Sequence, residues 1–142
     1  KACNKVQGQI TSATCAIAQK AVETAMLAEP KAVTTKMKNT FLSRRDMMLK
    51  ALNEIPGIKC NTPKGAFYIF PDVSYYFGKK DGENTIANAN DLCMYLLNKA
   101  HVALVSGTAF GNPECVRISY AAADDKLMEA VKRMKEKLVQ LK

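Results

Sequence analysis

The chain has 142 residues, 48% of them apolar and 24% charged, with a formal net charge of +8. Those proportions exclude an intrinsically disordered chain, and the length is that of one domain able to bury a core. No apolar run approaches the roughly 18 residues of a membrane span.

The opening Lys1-Ala2-Cys3-Asn4-Lys5 is not followed by the apolar stretch of a signal peptide, and there is no initiator Met, so the chain is expected to begin inside a longer protein. Residues 13–28 are predicted as a helix, because Ile17, Ala18, Ala21, Val22, Ala25 and Met26 recur at helical spacing. Thr11, Ser12 and Thr14 offer side chains to cap it. Pro30 interrupts, and a second helix is predicted over 31–55, with Met37, Phe41, Met48, Leu52 and Ile55 on one face. Pro56-Gly57 stops it.

Residues 58–62 alternate apolar and polar, as a half-buried strand does. Pro63-Lys64-Gly65 signals a turn, and 66–70 is a short aromatic and β-branched run, predicted as a strand buried on nearly both faces. Residues 73–88 are polar and contain Gly78 and Gly82, the pattern of an exposed loop. Asn90 or Asp91 is then placed to cap a helix carrying Leu92, Cys93, Leu96 and Leu97. Residues 102–105 form the third predicted strand and 107–114 a glycine-containing loop. A fourth strand follows over 115–120, with Val116, Ile118 and Tyr120 on one side and Arg117 and Ser119 on the other. Asp124 or Asp125 is placed to cap a last helix whose stripe is Leu127, Ala130, Val131, Met134, Leu138 and Leu141. The predicted order is α-α-β-β-α-β-β-α, an α+β fold with a small, largely antiparallel sheet and helices packed on one face.

Five cysteines (Cys3, Cys15, Cys60, Cys93, Cys115) are scattered without metal-ligand spacing, so neither a disulfide framework nor a metal site is expected. The reduced thiols fit a cytoplasmic protein. The single histidine, His101, has no spacing that pairs it with a cysteine. A charge of +8 is compatible with an anionic partner, but the lysines are interspersed with acids along the helices and no nucleic-acid motif is present. Neither nucleic acid nor a membrane is expected as a partner.

Arg117 is the residue with the clearest chemical potential. On a strand of Cys, Val, Ile, Ser and Tyr it is either a solvated or salt-bridged side chain, or a bidentate clamp for a carboxylate. The planar guanidinium fork matches a carboxylate, and its charge does not titrate away.

Four segments carry a family resemblance. Pro63-Lys64-Gly65-Ala66-Phe67-Tyr68 is similar to the P-x-G-A-F-Y/F signature of the small domain of class I aminotransferases, the aspartate aminotransferase family. Val105-Ser106-Gly107-Thr108-Ala109-Phe110-Gly111 resembles that family's V-x-P-G-x-x-F-G loop, with Ser106 where proline is frequent. Cys115-Val116-Arg117-Ile118-Ser119-Tyr120-Ala121 resembles the V-R-I/L-S-Y/F-A strand after it, and Val6-Gln7-Gly8-Gln9-Ile10-Thr11-Ser12 resembles the stretch after the cofactor-bearing segment.

The resemblance implies that residues 1–142 are a single C-terminal small domain, with residues 1–12 a linker from an N-terminal large domain. It implies pyridoxal phosphate as cofactor, an amino acid and a 2-oxo acid as substrates, and a homodimer. It assigns Arg117 to the substrate α-carboxylate and Gly107 and Phe110 to the edge of the site. It gives this chain no catalytic, cofactor-binding or metal-binding residue: the family's S-K-x-F/W-x-x-x-G-x-R-x-G segment, which bears the Schiff-base lysine, does not occur in the sequence. The isolated chain is therefore expected to be inactive. Aspartate is the favoured donor; aromatic and prephenate aminotransferases share the signatures. The competing expectation is a non-enzymatic basic α+β module that binds an anionic partner.

Overall fold

The computed structural model describes residues 1–11, 13–27 and 31–142. Ser12 and Pro30, given a capping and an interrupting role above, lie outside them. The chain divides into two units, Lys1–Lys38 and Asn39–Lys142.

The first unit holds helices α1 (Ala2–Ile10) and α2 (Ala16–Leu27) and the start of α3 (Lys31–Asn53). No element was predicted over residues 1–12, so α1 is an addition to the expected order. Its Thr11 donates its backbone N–H to Gln7 O at 3.0 Å and thereby closes α1, rather than capping the next helix. Neither α1 nor α2 has a buried residue. Of the row predicted on the buried face of α3, Met37 is 54% exposed, whereas Met48, Leu52 and Ile55 in the second unit are at most 1% exposed.

In the second unit β1 (Tyr68–Ile69), β5 (Val116–Ser119) and β4 (Val105–Ser106) form a three-stranded antiparallel sheet in the order β1-β5-β4. Helices α4 (Ala89–Ala100) and α5 (Asp124–Leu138) pack on each other and share one core with the sheet. Ile69, Val116, Ile118, Leu92, Leu96, Leu127, Val131 and Met134 meet there. The fold is α+β with a small antiparallel sheet, as the sequence predicted.

Local chemistry corrects several elements. The expected strand over 58–62 is reduced to a single antiparallel bridge, Lys59 to Asp72. Pro63 and Pro71 have no N–H to give a ladder, and Ala66 sits at φ +60°, so the run over 66–70 supplies only two strand residues. That run is not buried on both faces: Ile69 is 0% exposed and Phe67 39%. Residues 73–88 are not an open loop. They form a short 3-10 helix, Ser74–Tyr76, and a hairpin of β2 (Lys80–Asp81) and β3 (Asn84–Thr85), and they bury Val73, Tyr76 and Ile86. Lys142 adds to β2 through two backbone hydrogen bonds with Lys80, at 2.8 and 3.0 Å.

The helix caps differ too. Asn88, rather than Asn90 or Asp91, caps α4: its side-chain oxygen accepts the N–H groups of Asn90 and Asp91 at 2.9 and 3.0 Å. His101 closes the other end in the left-handed region (φ 55°), with Val102 N–H donating back to Leu96 O at 3.2 Å. The residue before α5 is Ala123, which makes no side-chain cap. Asp124 and Asp125 lie in the first turn, where the helix dipole favours negative charge, and Asp124 accepts from Arg44 Nε at 2.6 Å.

Candidate functional site

Strand β5 alternates as its sequence requires: Val116 and Ile118 are buried, Arg117 is half-buried and Ser119 is exposed. Directly opposed residues of antiparallel strands share a face. The register sets Tyr68 opposite Ser119 and Val105 opposite Arg117, so Tyr68, Ser119, Arg117 and Val105 lie on the sheet face away from the core. Tyr68 is the diagonal neighbour of Arg117, within reach of a long side chain.

The Arg117 guanidinium carbon lies over two rings, 4.6 Å from the centroid of Tyr68 and 4.4 Å from that of Phe110. Among the described residues no side chain forms an ion pair with it and no acceptor takes a hydrogen bond from it. A guanidinium fork with no such partner is chemically suited to bidentate capture of a carboxylate.

The segment after β4 brings Phe110 to that position. Gly107–Phe110 is a short 3-10 helix; Ser106 accepts the N–H of Thr108 through its hydroxyl at 3.4 Å, and Gly111 ends the turn at φ 82°. Gly107 is packed against backbone. A Cβ there would lie 2.2 Å from Asn112 O and 2.5 Å from Cys115 O, and Gly107 N–H donates to that same Cys115 O at 2.8 Å. Only glycine permits this approach, which ties the turn to the residue preceding β5. Phe110 is 48% exposed and meets Phe70 edge to face, with centroids 6.3 Å apart.

The 63–67 loop is held from two sides. Arg45 Nη1 donates to Pro63 O at 3.1 Å, and Tyr120 donates its hydroxyl to Ala66 O at 3.0 Å and its N–H to Phe67 O at 2.9 Å. Burial pushes the Tyr120 hydroxyl above its ordinary pKa, which keeps it a donor. The Cys115 thiol is pushed up by burial first and by Asp72 and Glu114 second. Asp72 is held below the usual carboxylate range by hydrogen bonds from Ser74, one of them Ser74 N–H to Asp72 Oδ1 at 2.8 Å.

The three residues predicted for the site, Arg117, Gly107 and Phe110, thus fall in one cluster. Sequence reasoning placed Tyr68 in a signature but missed its place under Arg117. The signal was present as an aromatic at an alternating position, but the strand register that uses it was not.

An apolar groove of about 590 Å³ lies beyond β4, lined by residues that include Cys93, Met94, Leu97, Leu104 and Val105. Among the described residues there is no cluster of groups able to hold a metal ion, and no helix is long and apolar enough to cross a membrane.

Residues 1–134 match the family model for aminotransferase class I and II. The chain is 48% identical over 145 residues to a bifunctional aspartate aminotransferase and glutamate/aspartate-prephenate aminotransferase of Petunia hybrida, a match that covers 99% of this chain and 30% of that protein. It is 41% identical to an aspartate aminotransferase of Pinus pinaster, covering 99% of this chain and 29% of that one. The crystal structure of the aspartate aminotransferase from Rhizobium meliloti superposes with a TM-score of 0.88 at 38% identity, over 96% of this chain and 34% of that one. The chain belongs to the class I and II aminotransferase family. It spans about 30% of the length of the curated relatives it matches.

Proposed function

We propose that this chain is the C-terminal small domain of a pyridoxal-phosphate-dependent aminotransferase, and that Arg117 anchors the α-carboxylate of the amino acid donor. The observation that carries this reading is a guanidinium laid over two rings with no ion-pair partner among the described residues. Gly107 and Phe110 form the edge of the same site. The complete protein transfers an amino group from an amino acid to a 2-oxo acid, and the relatives' names favour aspartate as donor. A homodimer in the cytoplasm completes the proposal. The reading as a basic binding module is not favoured, because it leaves the family match and the Gly107 turn unexplained.

The cofactor is assigned to the N-terminal large domain, because the segment that bears the family's Schiff-base lysine does not occur in this sequence, and no residue of this chain is assigned a catalytic role. The part assigned here is to bind and orient the substrate carboxylate.

Arg117→Lys in the full-length enzyme tests the assignment. Lysine keeps the charge but loses the two parallel hydrogen bonds of the fork. Truncating one partner of a desolvated charge pair costs about 2–5 kcal/mol, of which lysine recovers a part. The expected loss in kcat/KM is about tenfold to several hundredfold with every amino acid donor, with normal cofactor absorbance. Wild-type kcat/KM in this variant removes Arg117 from the site.

A further inference from the structure

We infer that Tyr68 and Phe110 are positioning residues that hold the Arg117 guanidinium in the plane from which it takes the substrate α-carboxylate. The inference rests on the reading of Arg117 as the carboxylate anchor and adds two residues that determine how well it works.

The geometry comes from the sheet order. Strand β5 lies between β1 and β4. Tyr68 comes from β1, on one flank of Arg117, and Phe110 from the turn after β4, on the other. Each ring has an aromatic neighbour of its own. Tyr68 packs against Phe67 with centroids 4.4 Å apart, and Phe110 meets Phe70 and is followed by the left-handed Gly111. Arginine ends a long, rotatable stem, and a free guanidinium loses orientational freedom when it binds. The faces of a guanidinium are weakly hydrated and stack on aromatic rings; its N–H donors point outward in the plane. With a ring centroid 4.6 Å from the guanidinium carbon on the β1 side and another 4.4 Å away on the β4 side, the swing of the long side chain is restricted while its N–H donors remain available. On this inference the rings act on the substrate carboxylate by way of the guanidinium they contact. Their effect reaches it through Arg117, so it is confined to ligands that carry the α-carboxylate.

The test uses the full-length holoenzyme, with aspartate and with β-alanine, which is aspartate without its α-carboxylate. The readings are kcat/KM for aspartate and the inhibition constant of β-alanine against aspartate. Tyr68→Leu and Phe110→Leu are each expected to lower kcat/KM for aspartate by about twofold to thirtyfold, mainly through KM, with the β-alanine constant unmoved. Tyr68→Phe restores what Tyr68→Leu loses, because the ring face and not the hydroxyl carries the effect. Equal weakening of both compounds assigns the rings a general structural role and overturns the inference. So does an unchanged kcat/KM for aspartate in both leucine variants while Arg117→Ala abolishes it. If Arg117→Ala itself leaves aspartate unaffected, the anchor reading falls, and that outcome is separable from the failure of the rings.

Discussion

At the scale of single residues, the site depends on groups whose properties are set by burial and close approach. Gly107 is the sharpest case, because the atoms a side chain would meet are backbone oxygens that cannot swing aside. Gly107→Ala is expected to destabilise the fold by about 1–3 kcal/mol, the range for a forced backbone shift, and to displace Phe110. Chemical denaturation gives the first quantity, and a rise in KM for the amino donor reports the second. Two thiols give a pH dependence. Burial raises Cys60 and Cys93 each to about 11 from an ordinary value of 9.0. Folded thiols then hold their protons where unfolded ones release them, so their contribution to stability is fully present below pH 9 and is lost as pH rises towards about 11. The unfolding midpoint should fall over that window, and the fall should be shallower in Cys60→Ala and Cys93→Ala variants.

At the scale of elements, the helices of the second unit are specified by their ends as much as by their stripes. Asn88 satisfies two N–H groups at the start of α4, which packs on α5 and carries the buried Leu92 and Leu96. Asn88→Ala should cost about 1 kcal/mol, read as a lowered denaturation midpoint with an unchanged denaturant slope. The stripe of α5 was legible because Leu127, Val131, Met134 and Leu138 repeat at helical spacing against a charged background. The strands were less so. Two-residue strands carry almost no periodic signal, and what limits β1 is a proline and a left-handed alanine on either side of it. The hairpin over 80–85 was hidden for a related reason: its polar residues read as a loop, and its pairing with Lys142 joins positions far apart in sequence.

At the scale of the molecule, the two units differ in how they are stabilised. The second has a continuous core; α1 and α2 bury nothing. Isolated helices under about 12–15 residues are marginal in water, and these have 9 and 12 residues. In the isolated 142-residue chain, amides of α1 and α2 should therefore exchange with solvent far faster than those of α4 and α5. On the proposed reading of the chain as part of a longer aminotransferase, amides of both helices should gain protection in the full-length protein, as side chains such as Ile10, Ile17 and Met26, here 75–81% exposed, become covered. Hydrogen exchange read by mass spectrometry on both forms decides this. Equal protection of α1 and α4 in the isolated chain contradicts it.

The amino-acid sequence by itself determined the α+β class, the alternation that turns Arg117 away from the core, and the family, because periodicity and local motifs are properties of neighbouring residues. Tertiary structure alone decided which rings meet that arginine. Tyr68, Phe110 and Arg117 are brought together by the register of β1 on β5 and by the backbone approach at Gly107. Register and close approach arise from hydrogen bonds and packing between segments distant in the chain, where periodicity carries no information.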